Sequence, residues 1–136
     1  MAVFRRRWPG VSYGRGEGWH YVGEAGEPAF NSTWDNVSVD KYNLAFRIRE
    51  TGVVDVQGLV LDGGAGPGLV FTLPAGYRPS NRTYSTLQVH AAAPYYAPGW
   101  VVIDPDGTVT FDWDSAITPI SMMISGQFFL VPPSAP

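Results

Sequence analysis

Residues 42 to 79 commit the chain to β structure before any other feature is considered. Tyr42 to Glu50 (YNLAFRIRE) alternates, with Leu44, Phe46 and Ile48 on one face and Ala45, Arg47 and Arg49 on the other. That is the period-two pattern of a half-buried strand. Thr51-Gly52 turns the chain into Val53 to Leu61 (VVDVQGLVL), apolar and β-branched at nearly every position, with Asp55 and Gln57 interrupting one face only. The two runs predict an antiparallel hairpin whose second strand is the more central. Asp62-Gly-Gly-Ala-Gly-Pro-Gly68 is a loop, since five of its seven residues are Gly or Pro. A third strand follows at Leu69 to Leu73 and leaves through Leu73-Pro-Ala-Gly-Tyr-Arg-Pro79. There Pro74 removes a ladder donor, Gly76 permits positive φ and Pro79 keeps Arg78 extended.

The same logic extends downstream. Arg82 to Ala91 alternates Tyr84, Thr86, Gln88 and His90 against Thr83, Ser85, Leu87 and Val89, a further strand. Ala91 to Gly99, with Pro94, Tyr95, Tyr96, Pro98 and Gly99, is expected to be a long aromatic loop. Trp100 to Asp104 and Thr108 to Trp113 flank Pro105-Asp106-Gly107, which suits a type I turn followed by a left-handed glycine. Val109, Phe111 and Trp113 then share one face, and Thr108, Thr110 and Asp112 the other. Ile120 to Ile124 and Phe128 to Val131, separated by Ser125-Gly126-Gln127, read as two strands apolar on both faces. Strands of that kind in a small protein want a second surface, which a neighbouring subunit supplies. About eight short strands at regular spacing predict an all-β fold, an antiparallel β-sandwich or jelly-roll-like barrel. A glycine-rich extended N-terminal arm over residues 1–28 precedes a β-sandwich domain over residues 29–136.

Composition agrees and removes several kinds of chemistry. At 136 residues the chain fits one domain, and with only 15% charged residues, 16 Gly and 12 Pro it favours strands and turns over helices. The absence of cysteine excludes disulfides, thiolate metal sites and thiol catalysis. A net charge of -3 argues against nucleic acid as a partner, and Arg5-Arg6-Arg7 is the one basic run. No signal-peptide pattern and no membrane-spanning apolar run occurs, so a soluble, unexported protein without membrane insertion is expected. The sequons at Asn31, Asn36 and Asn81 are read as chance.

The order of hydrophobic hairpin, glycine loop, short strand and Leu73-Pro-Ala-Gly-Tyr-Arg-Pro79 resembles the head or tip domains of tailed-bacteriophage receptor-binding and tail-fibre proteins, the minor tail proteins. Upstream the likeness takes in Glu27-Pro-Ala-Phe-Asn-Ser-Thr-Trp34, and downstream the strand, Asp-Gly turn and strand of Val101 to Phe111, so that it covers roughly Trp19 to Leu130. The exit heptapeptide is its most specific part. The resemblance implies a compact β-domain that assembles as a homotrimer in a phage tail tip.

Catalytic and metal constellations are missing from the sequence. His20 and His90 are far apart, with no paired-ligand spacing. Asp104, Asp106, Asp112 and Asp114 supply too few oxygens at fixed steps for a calcium loop, and Asp104 to Gly107 reads as a turn. No carboxylate pair faces across a cleft, no Gly-x-Ser-x-Gly elbow occurs, and residues 14–18 and 63–68 lack the Lys-Ser/Thr of phosphate loops. A non-enzyme without a cofactor is expected. Aromatic rings in loops remain, able to stack on sugar faces while neighbouring polar groups bind hydroxyls. Tyr95 and Tyr96, set between prolines, lead the candidates, followed by Trp113 with Asp112 and Asp114, and by His90. The expected function is attachment of a virion to a bacterial cell-wall or surface saccharide as a homotrimer, beside other tail proteins. The alternative is a structural trimerisation or capping module with all its rings buried at subunit seams.

Overall fold

The computed structural model describes residues 18–38, 42–91 and 96–129. Nine strands run through them: β1 (His20–Tyr21), β2 (Asp35–Asn36), β3 (Ala45–Ile48), β4 (Val53–Leu61), β5 (Gly68–Thr72), β6 (Thr83–Ala91), β7 (Tyr96–Ile103), β8 (Thr108–Trp113) and β9 (Pro119–Phe129). No helix occurs among the described residues. All the strand pairs are antiparallel, in the order β1-β3-β4-β9-β6-β7-β8-β5, with β2 pairing β4 beside β3. The architecture is all-β, a sheet curled into a half-barrel.

Alternation decides which side of the sheet each residue meets. Phe46 and Ile48 of β3, Val54, Val56 and Val60 of β4, Met122 and Ile124 of β9, Leu87 and Val89 of β6, Val101 and Ile103 of β7, and Val109, Phe111 and Trp113 of β8 are buried on the concave side. Burying each large apolar side chain contributes about 1.5–3 kcal/mol, so this face supplies most of the driving force. The curl brings distant strands together. Phe46 of β3 stacks on Phe71 of β5 at 6.0 Å, although their strands lie near opposite ends of the order.

Residues 30–34 form a strap over the open side. Asn31 donates its backbone N–H to Val70 O at 2.7 Å and its Nδ2 to Leu69 O, Thr33 Oγ1 donates to Asp62 O, and Trp34 packs edge-on against Phe111 and Trp113. A second fastening joins residues 18–28 to the exit from β5. His20 stacks on Phe46, pairs through Nδ1 with Glu27 at 2.9 Å and meets the Tyr77 hydroxyl through Nε2 at 3.1 Å. Val22 is fully buried and β1 pairs with β3.

The hairpin of β3 and β4, the strand before Pro74 and the β7–β8 hairpin stand where the sequence places them. In the last of these the turn closes through Gly107 N–H to Asp104 O at 2.8 Å, with Gly107 at φ 92. The described part of the expected arm, from residue 18, lies along the domain, with β1 at His20–Tyr21 and Val22 in the core. Two expectations need correction. Ser125-Gly126-Gln127 does not separate two strands. β9 runs unbroken through it, since Gly126 pairs with Val56 and leaves the space that the Ser85 side chain fills. Residues 96–99 are strand instead of loop, Pro98 included. Beyond the pair Gly99–Trp113, β7 has no β8 partner, so a missing N–H there breaks no ladder on that side.

Candidate functional site

The parity that buries Leu87, Val89, Val101 and Ile103 sends Tyr84, Thr86, Gln88 and His90 of β6, and Tyr96, Pro98, Trp100 and Val102 of β7, to the convex face. Register then sets them side by side: Tyr84 with Val102, Thr86 with Trp100, Gln88 with Pro98 and His90 with Tyr96. Neighbouring strands extend these rows. Trp100 faces Asp112 of β8, while Gln88 faces Met123 and His90 faces Ser121 of β9. Leu59 of β4 lies beyond Met123.

The result is a face of rings separated by hydrogen-bonding side chains. Tyr84 is 65% exposed, Tyr96 62% and Trp100 51%, unusual values for large aromatic residues on regular strands. The His90 and Tyr96 rings stack, with centroids 5.3 Å apart and planes 30° from parallel. Two shallow depressions open beside them. One, of about 220 Å³, is lined by Leu59, Gln88, His90, Tyr96, Ser121 and Met123. The other, of about 340 Å³, is lined by Thr86, Leu87, Gln88, Tyr96, Ala97 and Pro98. Gln88 and Tyr96 line both, so the depressions form one feature.

Electrostatics on this face are weak. The outward residues of β6 and β7 include no Asp, Glu, Lys or Arg, and Asp112 is the nearest carboxylate in the rows. Arg82, just before β6, is held by Asp104 at 2.6 Å, and that hydrogen bond raises its pKa further above the ordinary range. Asp106 accepts hydrogen bonds from the Thr108 backbone N–H and hydroxyl, which hold its carboxyl below the usual value. These carboxylates serve the turn. Among the described residues no cluster of three or more His, Asp or Glu is placed to hold a metal ion.

Of the residues singled out from the sequence, His90 and Tyr96 come into contact, and Asp112 stands on the same face beside Trp100. Trp113 is a correction. It is 4% exposed and packs edge-on against Trp34, because neighbours on a strand point to opposite faces and Asp112 takes the outer one. Asp114 lies exposed past the end of β8, where it accepts the Ala116 N–H at 2.9 Å as part of a turn. Tyr95 lies outside the described residues. Thr86, Gln88 and Met123 are the members that a reading of loops misses, and Trp100, one of the rings such a reading gathers, belongs with them on this face. The signal for Trp100 was its parity, shared with Tyr96 and opposite to Val101 and Ile103. No protein-family model matches the chain, and no curated protein matches it.

Proposed function

We propose that this protein is a non-enzymatic attachment module of a bacteriophage tail tip, which holds a saccharide of the bacterial surface on the convex face of β6 and β7. The observation that carries this reading is the presence of exposed Tyr84, Tyr96 and Trp100 on strands, with Thr86, Gln88, His90 and Asp112 between and beside them. A sugar ring offers an apolar C–H face and a rim of hydroxyls, and a flat aromatic ring bordered by amide, hydroxyl and carboxylate groups complements both. The likeness of residues 73 to 79 to tail-tip proteins supplies the biological setting. A homotrimer beside other tail proteins would multiply weak single contacts into a firm hold.

The test is binding of purified protein to host cell-wall polysaccharide, with Tyr96→Ala and Trp100→Ala compared against the unaltered chain and light scattering run on each. Loss of binding with the assembly unchanged supports attachment. A second reading, a structural virion module whose convex face is a subunit seam, is favoured by Met123, an outward apolar side chain of β9 that is 37% exposed. Dissociation of the assembly by the same substitutions, with no polysaccharide bound by the parent protein, selects it.

A further inference from the structure

Resting on the saccharide reading, we infer that the ligand is a linear, uncharged polymer lying along β7, gripped at two ring stations. Tyr96 and Trp100 are four residues apart on one face of one strand, which separates them by about 13 Å. A single sugar ring does not span that distance, and a short run of linked rings does. Each station has its own hydrogen-bonding neighbours across the sheet. Tyr96 has His90, with Ser121 beyond it, and Trp100 has Thr86 on one side and Asp112 on the other. Between the stations lie Pro98, a flat apolar surface, and Gln88, an amide able to donate and accept. The larger depression runs from Tyr96 past Pro98 to Thr86, the cross-strand neighbour of Trp100. The track therefore follows the strand.

Charge selects the class of polymer. An anionic chain would meet Asp112 beside the Trp100 station and find no outward cation on β6 or β7, and Arg82 is already engaged by Asp104. A neutral chain incurs no such repulsion. Addition of a peptide strand is confined to residues 96–98, where β7 has no β8 partner and Pro98 offers no N–H; from Gly99 onward β7 is paired on both sides.

The experiment titrates the full chain, by calorimetry, with cello-, malto- and chito-oligosaccharides of increasing length from one to six sugars, using the unaltered protein, Trp100→Ala and Trp100→Phe. The expected result is that one series binds with affinity rising about tenfold between two and four sugars and then levelling. Trp100→Ala flattens that rise and Trp100→Phe, which keeps a ring, restores most of it. Affinity independent of length, or lowered equally at every length by Trp100→Ala, overturns the two-station track while leaving saccharide binding in place. Absence of binding in all three series overturns both. Tighter binding of carboxymethylated cello-oligosaccharides than of the neutral ones overturns the charge selection. Concentration-dependent self-association lost in Trp100→Ala assigns the face to a second copy of the chain and overturns the proposal.

Discussion

The convex side of the sheet is finished differently over its two hairpins β3–β4 and β6–β7. Over β3 and β4 the outward residues close on one another. Asp55, only 5% exposed, accepts hydrogen bonds from Arg47 Nε at 3.1 Å and from Arg49 Nε and Nη2 at 2.8 Å each. Arg47 in turn lies 4.3 Å over the Trp19 ring. Over β6 and β7, rings of comparable size stand half or more exposed, with polar side chains between them. The same alternation built both surfaces. What differs is how completely the outward groups are covered by partners inside the chain: in the closed half Asp55 is buried between two arginines, whereas in the open half Tyr96, although stacked on His90, is still 62% exposed.

That contrast is broken most severely from beneath. Trp113→Ala removes a core ring behind the open half and is expected to cost about 4 kcal/mol, read by chemical denaturation. Next comes Gly58→Ala. Gly58 sits in β4 at φ 142, where a Cβ would run into the Leu44 backbone, and the expected loss is about 3 kcal/mol.

Asp55→Asn tests the closed half, at an expected cost of about 2 kcal/mol. Burial alone would raise the Asp55 pKa, but the hydrogen bonds and charges of Arg49 and Arg47 outweigh it and hold the carboxyl below its ordinary 3.8. Because the folded value is the lower one, the carboxylate contributes stability above about pH 4 that is lost as pH falls through the folded pKa. Denaturation midpoints measured down the acid range should drop more steeply for the parent than for Asp55→Asn. The smallest effect on stability belongs to Trp100→Ala, expected within about 0.5 kcal/mol of the parent because the ring is already half in water. A large loss there would mean that the open half is packed after all.

Much of the fold was legible because alternation and turn chemistry are local. The β3–β4 hairpin, the glycine loop, β6 and the turn at Asp104–Gly107 need only the residues within them. What escaped depends on contacts distant in sequence. Ser125-Gly126-Gln127 looks like a turn until Ser85 is brought against Gly126, and Pro98 looks like a loop residue until β7 is seen to outrun β8. The candidate face was half legible for a related reason. His90 and Tyr96 were chosen from neighbouring prolines and polar residues, whereas strand parity separates Trp113 from Asp112 and unites Trp100 with Tyr96. Parity was available in the sequence. The pairing of Trp100 with Asp112 required the register between β7 and β8.

The claim that the open half binds sugar is tested most directly by following the tryptophan indole N–H resonances during titration with the oligosaccharide series. The chain has five tryptophans, of which Trp34 and Trp113 are buried and Trp100 is not. The account predicts saturable movement of the Trp100 signal with Trp34 and Trp113 still. A stationary Trp100 signal while the Trp19 signal moves, or no movement at any ligand length, contradicts it.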